Sequence, residues 1–202
     1  MIQDQQLSIH TSSLLETVSS SIHHNRYEAT PYEGLKALGD AYSLKGRSVV
    51  DYGCGKGRVS FYLHHRFGID VTGIEMNPRL YQAALENQSS YLAKRKLKKG
   101  SIQFERAFAE SYEVRADQDV FYFFNPFSLQ VFSAVLSRIS KSLEKHPRRA
   151  TIILYYPTVE YIHHIEERSA FYLMQQIPVP GLVENNHNER FVVFEYREPN
   201  DV

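Results

Sequence analysis

Two rhythms of apolar residues alternate along this chain. Short runs rich in β-branched and aromatic residues fall at Ser48–Tyr52, Asp70–Glu75, Ile102–Phe108, Asp119–Phe124 and Thr151–Tyr155, and each reads as a strand buried on both faces. Between them the apolar positions recur at helical spacing. Thr30-Pro31 opens one helix, with Pro31 in its first turn and Tyr32, Leu35 and Leu38 on one side. A second runs from about Arg58 to Phe67 and meets Gly68, a residue suited to a helix stop. Asn77-Pro78 starts a third, carrying Leu80, Ala83, Ala84 and Leu85. Phe127–Leu143, with Val131, Val135, Leu136 and Ile139 on one face, is the fourth, and Val159–Ser169 the fifth. Phe171–Val179 and Phe191–Arg197 then read as two strands joined by a loop, with no helix between them.

Strands alternating with helices imply an α/β fold, a three-layer αβα sandwich around a mostly parallel sheet. The closing pair lacks a crossover helix, so the last strand is expected to run antiparallel. Residues 1–25 are rich in Ser, Gln and His. Leu14, Leu15 and Val18 are spaced for one side of a short helix, and the extreme N-terminus is expected to fray. The pattern divides the chain into an N-terminal helical segment, 1–44, and an α/β unit, 45–202.

Composition narrows the class without identifying the chemistry. With 202 residues and 43% hydrophobic content, the chain can bury a sizeable core. Lys plus Arg and Asp plus Glu stand at 23 each, which removes the generic charge argument for nucleic acid or membrane surfaces. The basic run Lys94–Lys99 reads as a solvated helix end, with contact to nucleic acid phosphates as the lesser alternative. A single cysteine, Cys54, excludes an intrachain disulfide. No stretch approaches the roughly 20 apolar residues that span a bilayer, nor is there a signal-peptide core, so a cytoplasmic location is expected. The paired histidines His23-His24, His64-His65 and His163-His164 lack metal-site spacing, and no metal is expected.

The chemistry concentrates in Asp51-Tyr52-Gly53-Cys54-Gly55-Lys56-Gly57-Arg58. An apolar strand ends in an acid, three glycines follow at alternate positions, and a helix begins. Backbone without Cβ atoms can approach a ligand closely there, and the helix start favours a negative group. A dinucleotide fingerprint would space its glycines as Gly-x-Gly-x-x-Gly; this chain has Gly-x-Gly-x-Gly. A tight turn alone would account for the glycines. Capping of the helix at Asn77 would account in the same way for Glu75, the acid that closes the next strand. Asp51, the glycines and Glu75 in this order of elements together favour a ligand site.

Over Asp51–Arg58 the sequence resembles the class I S-adenosylmethionine (SAM)-dependent methyltransferases, and the order of elements extends the likeness over about 45–197. The resemblance implies seven strands in the order 3-2-1-4-5-7-6, SAM as cofactor and methyl transfer as the activity. It places Gly53, Cys54, Gly55 and Gly57 around the methionyl moiety, Asp51 at its ammonium group, Glu75 on the ribose hydroxyls and Met76 against adenine or ribose. The family often has an acid after the third strand. Here Phe108 stands in that place, so the adenine would be met by backbone at Phe108 and Ala109, with Glu110 as a substitute acid.

The fourth strand ends in Asn125-Pro126-Phe127, similar to the Asn-Pro-Pro-aromatic motif of methyltransferases acting on planar nitrogen groups, with one proline instead of two. The resemblance gives Asn125 and the Pro126 carbonyl the substrate's amino hydrogens, and Phe127 its plane. Asn-Pro also ends strands in the absence of any such role. Thr30, before the first strand, lies where related enzymes cover the cofactor. Tyr155, Tyr156, Thr158, Asn185, Asn186 and His187 fall on the same rim, where packing or a solvated loop explains them equally well. The expected acceptor is a nitrogen or oxygen nucleophile on a small molecule or protein. A non-catalytic SAM-binding partner subunit and an RNA or DNA methyltransferase are the alternatives.

Overall fold

The computed structural model describes residues 2–12, 28–94 and 99–196. The helix expected around Leu14–Val18, the His23-His24 pair and the centre of the basic run fall outside the described residues, as does Arg197.

Seven strands form one sheet in the order β3-β2-β1-β4-β5-β7-β6. They are β1 Ser48–Tyr52, β2 Asp70–Ile74, β3 Ile102–Glu105, β4 Val120–Phe123, β5 Thr151–Tyr155, β6 Phe171–Pro178 and β7 Arg190–Tyr196. β1 pairs in parallel with β2 and β4, and β7 lies antiparallel between β5 and β6. The expected fold and order are therefore those observed.

Strand alternation sorts the side chains into two cores. Val49, Tyr122, Ile153, Tyr155 and Phe191 face α2 (Tyr32–Ala41), α3 (Arg58–Phe67) and α4 (Pro78–Ala93). Val50, Tyr52, Phe121, Phe123, Ile152 and Leu154 face α5 (Leu129–Lys145) and α6 (Val159–Arg168). The layers follow from right-handed crossovers: α3 and α4 return to one side of the sheet and α5 to the other. Phe132 of α5 stacks on Tyr161 of α6 at 3.7 Å between ring centroids.

Three boundaries differ from the sequence reading. β3 stops at Glu105 instead of reaching Phe108, because its partner β2 turns away after Ile74, which pairs with Glu105. Residues 109–111 form a single 3-10 turn. α5 starts at Leu129 instead of Phe127, since Ser128 is still extended at ψ 159°.

Residues 2–12 dock on the fold. α1 (Asp4–Leu7) is short, but Leu7 and Ile9 are buried in the core beside α3. Asp4 holds the turn together: its carboxylate accepts bonds from the Thr11 N–H and hydroxyl, both 2.6 Å, and from the Tyr32 hydroxyl. Asn87 of α4 clamps the same segment to the glycine loop, bonding His10 through both amide atoms and donating to the Lys56 carbonyl at 3.0 Å.

Candidate functional site

The glycine loop leaves the carboxyl end of β1, the central strand of the sheet, where ligands bind in open α/β folds. Its shape depends on two glycines above all. Gly53 has φ +71°, and a Cβ there would lie 2.6 Å from the Pro126 Cβ. Gly57 has φ +88°, and a Cβ would meet Phe104 and Phe61 at 2.7 and 2.8 Å. The Gly53 and Cys54 N–H groups both bond to the Ile74 carbonyl, at 2.9 and 3.1 Å, and Gly57 closes a turn onto Cys54. The loop is thus held against β2 on one side and against Pro126 on the other.

Beneath it lies Asp51. Register places this residue between Gly73 of β2 and Tyr122 of β4. It is buried, and the Ser60 hydroxyl, also buried, donates to its Oδ2 at 2.6 Å. Burial pushes the Asp51 carboxyl up to about 7; Ser60 opposes the shift and the charge of Glu75 adds to it. A carboxylate in this position gains most from a cation delivered from outside the protein.

Glu75, the first residue after β2, is buried as well. Its Oε2 accepts from the Gly55 N–H at 2.9 Å and its Oε1 from the Asn77 N–H at 2.8 Å. Burial pushes the Glu75 carboxyl up, against these backbone bonds and a further one from Met76. The acid therefore shapes the loop, and each oxygen retains acceptor capacity for a ligand hydroxyl. Cys54 is buried, and burial first, then the charges of Asp51 and Glu75, push its thiol well above the usual range. Such a thiol is a packing group and not a nucleophile.

One cleft brings together Thr30, Asp51, Gly53 and Cys54 of the expected residues, and adds Glu28, Arg58, Tyr122 and Phe124 to them. Thr30 is buried, and its hydroxyl shares a 2.8 Å bond with the buried Tyr122 hydroxyl. Gly55 and Glu75 adjoin the loop. Met76 follows, half-buried, and Phe108 exposes 53% of its surface. The Phe108 and Ala109 carbonyls accept from Ser111 and Tyr112 in the 3-10 turn. Glu110 has a buried Oε2 with no hydrogen-bond partner.

Asn125 has φ +39°, a left-handed conformation that asparagine tolerates better than most residues. Pro126 packs on Gly53. Phe127 is buried on the α5 side, with its carbonyl accepting from the Tyr161 hydroxyl at 2.8 Å. The ring that reaches the cleft from this segment is that of Phe124.

Sequence reasoning missed Arg58 as a site residue. Its guanidinium donates to the Thr11 and Ser12 hydroxyls at 2.7 and 2.9 Å and to the Thr30 carbonyl at 3.3 Å. It also lies 4.8 Å from the Tyr32 ring centroid and 3.6 Å from Asp4. Both N-terminal pieces are thereby fastened to the helix that follows the glycine loop. Ser60 and Tyr122 were missed as well; only the helical and strand offsets from Asp51 could have pointed to them.

His64 is buried and bonded to the Tyr91 hydroxyl at 2.8 Å, and among the described residues no three His, Cys, Asp or Glu side chains form a metal-sized cluster. No helix among the described residues is long and apolar enough to cross a membrane.

Residues 43–188 match the family model described as a methyltransferase domain. A phosphoethanolamine N-methyltransferase of Arabidopsis thaliana is 34% identical over 92 residues, 41% of this chain; the matched stretch spans only 17% of that plant protein. The magnesium protoporphyrin IX methyltransferase of Synechocystis PCC 6803, solved with SAM bound, superposes with a TM-score of 0.55 at 16% identity, over 79% of this chain and 73% of its own. A tRNA (uracil-54, C5)-methyltransferase of Pyrococcus abyssi gives 0.55 at 17% identity, over 81% and 38%. At these identities the two solved structures speak to the fold.

Proposed function

This chain belongs to the methyltransferase-domain family, in the class I fold of the SAM-dependent enzymes, and from that premise we propose that it transfers a methyl group from SAM to a nitrogen or oxygen nucleophile of a small molecule. SAM supplies a methyl carbon on a sulfonium centre, which the acceptor's lone pair displaces in line. Bringing the two together in the right geometry is worth up to roughly 7–11 kcal/mol in ideal cases, so the protein's main task is positioning.

The observation that carries the donor assignment is Asp51. A buried carboxyl held up to about 7 at the root of a glycine loop is matched by the ammonium group of SAM. The bare backbone at Gly53 leaves room for the methionyl chain beside it. Glu75 takes the ribose hydroxyls on its remaining lone pairs. Gly55, Gly57 and Cys54 keep the loop in shape. Met76 and the exposed Phe108 offer apolar surface to the adenine, with the Ala109 turn and Glu110 at its edge. Residues 2–12 and 28–44, with Thr30 at the cleft and Arg58 as their fastening, form the cap over the cofactor.

Asn125 and the Pro126 carbonyl are the acceptor-side groups. They sit where β4 ends beside the loop, and Phe127 anchors them from below. A small acceptor fits a cleft bordered by the cap and the rim loops. It also accords with the phosphoethanolamine named for the plant relative. The balanced net charge gives an RNA or DNA substrate no comparable support.

Titration calorimetry with S-adenosylhomocysteine and with NAD tests the donor half: the homocysteine form should bind and NAD should not. Asn125→Ala should keep that binding while lowering methyl incorporation from labelled SAM into cell-extract fractions at least about tenfold, the loss expected of one or two hydrogen bonds. NAD binding without S-adenosylhomocysteine binding would sink the reading. Undiminished transfer by Asn125→Ala would remove Asn125 from the site.

A further inference from the structure

Beside the glycine loop, the ends of β4, β5 and β7 build an aromatic corner whose chemistry is distinct from that of the donor cleft. Phe124 stands edge-on to Tyr155 at 4.7 Å between centroids, and Tyr156 lies 6.4 Å from each of them. Tyr155 is buried beneath, packed on Phe191 at 4.7 Å, while Phe124 and Tyr156 remain partly open. Tyr156 is held at φ +50°, a conformation that costs a bulky side chain energy and marks a position set by its surroundings. Its N–H bonds the Arg190 carbonyl at 3.1 Å, and its hydroxyl accepts from Asn186 at 2.8 Å. The ring is thus gripped at both ends in an orientation it would not choose alone.

Two carboxylates border these rings. Glu189 accepts the Tyr155 hydroxyl proton on Oε2, and Glu28 lines the donor cleft with Phe124. The Tyr155 phenol is pushed up by burial first, then by its bond to Glu189 and by the charges of Glu189 and Glu28. The neighbouring cations are committed elsewhere. Arg190 donates to the His187 carbonyl and to Asn188, and Arg58 to the N-terminal segment. Among the described residues neither Glu28 nor Glu189 forms an ion pair.

Ring faces carry negative quadrupole density, and a cation over them is attracted most strongly where water is scarce. Carboxylates at the border, outside any close ion pair, add to this attraction. A neutral hydroxyl acceptor would make use of neither feature. We propose that this corner is the acceptor site of the methyltransferase described above, and that it selects an aliphatic amine, captured as its ammonium ion between Phe124, Tyr156, Glu189 and Glu28. The ammonium gives a proton to one of these carboxylates, the freed lone pair forms the N–C bond to the SAM methyl as its S–C bond breaks, and S-adenosylhomocysteine leaves. The inference rests on the acceptor reading for its role in catalysis, although cation capture can be measured without it.

The test compares choline with its uncharged isostere 3,3-dimethylbutan-1-ol, each titrated into the protein with and without saturating S-adenosylhomocysteine and followed by the aromatic NMR signals. Choline should bind at least about tenfold more tightly than the isostere. Glu189→Gln and Tyr156→Leu should each weaken choline at least about fivefold and leave the isostere and S-adenosylhomocysteine unchanged, the latter showing that the variants are folded. Equal binding of the two probes, binding of neither, or unaltered choline affinity in both variants would overturn the proposal. Failure of S-adenosylhomocysteine to bind would overturn the methyltransferase reading instead, and the choline comparison without it would still read this corner.

Discussion

The glycine-loop side of the cleft and the aromatic rim opposite are built on different principles. On the loop side, polar groups are buried and bonded within the protein: Asp51 to Ser60, Glu75 to the Gly55 and Asn77 N–H groups, and Thr30 to Tyr122. On the rim, Phe124 and Tyr156 are partly open, and non-glycine backbone turns left-handed at Asn125 and Tyr156. One side is a rigid cradle with a charge waiting for its counter-ion. The other is a set of strained strand ends able to present different groups to different acceptors. A fold that keeps one donor while changing acceptors gains from this division.

The sharpest way to break the comparison is to remove the waiting charge. Asp51→Asn keeps the shape and the Ser60 contact but leaves the ligand ammonium unpaired in a buried place. Truncating one partner of such a pair costs about 2–5 kcal/mol. S-adenosylhomocysteine affinity should therefore drop at least about thirtyfold by calorimetry, while the ligand-free protein melts no earlier at pH near 8. Retained affinity would mean that the ammonium lies elsewhere.

Gly53→Ala attacks the seam between the two regions. The left-handed φ of +71° and the Pro126 Cβ at 2.6 Å both oppose a methyl group. Overpacking and strain of this kind cost about 1–3 kcal/mol. The control is Gly46→Ala, at φ +74° with nothing within 4 Å. If denaturant melts show equal losses for the two variants, the contact with Pro126 contributes nothing and the regions are not coupled there.

The smallest effect concerns pH. The folded Asp51 carboxyl titrates near 7, above its usual 3.8, so the folded protein holds a proton that the unfolded chain has released. That stabilising contribution is present in full below about pH 4, declines as pH rises towards 7 and is gone above it. Binding a cation to the ionised form runs the other way. S-adenosylhomocysteine affinity should climb about fivefold from pH 6 to 7, reach about tenfold by about pH 8 and level off beyond. A flat profile would show that Asp51 ionises outside this range.

Local patterns made the loop side legible. Asp51, the alternate glycines and Glu75 lie on two consecutive strand ends, and hydrophobic periodicity gave the strand order through the resemblance it supported. The fastening of the cap was not legible. Asp4, Thr11, Tyr32 and Arg58 meet only after the chain has folded back across α3, and none of them carries a local signature. The same reason hid the docking of the N-terminus: a four-residue helix has no readable period, and its stability comes from burial of Leu7 and Ile9. The rim was half legible. Tyr155, Tyr156 and Asn186 could be placed by strand ends, but the bond of Tyr155 to Glu189 and the place of Glu28 in the cleft beside Phe124 depend on contacts between distant parts of the sequence.

The insertion of β7 between β5 and β6 gives the molecule an order in time. During synthesis the glycine loop and its partners β1 and β2 leave the ribosome first and can pair at once, whereas β6 has no neighbour in the sheet until residues 190–196 have followed it. Glu189 and the backbone that grips Tyr156 arrive with that same segment. The aromatic corner is therefore completed only when β7 slides between β5 and β6, after the glycine loop has already met its partners.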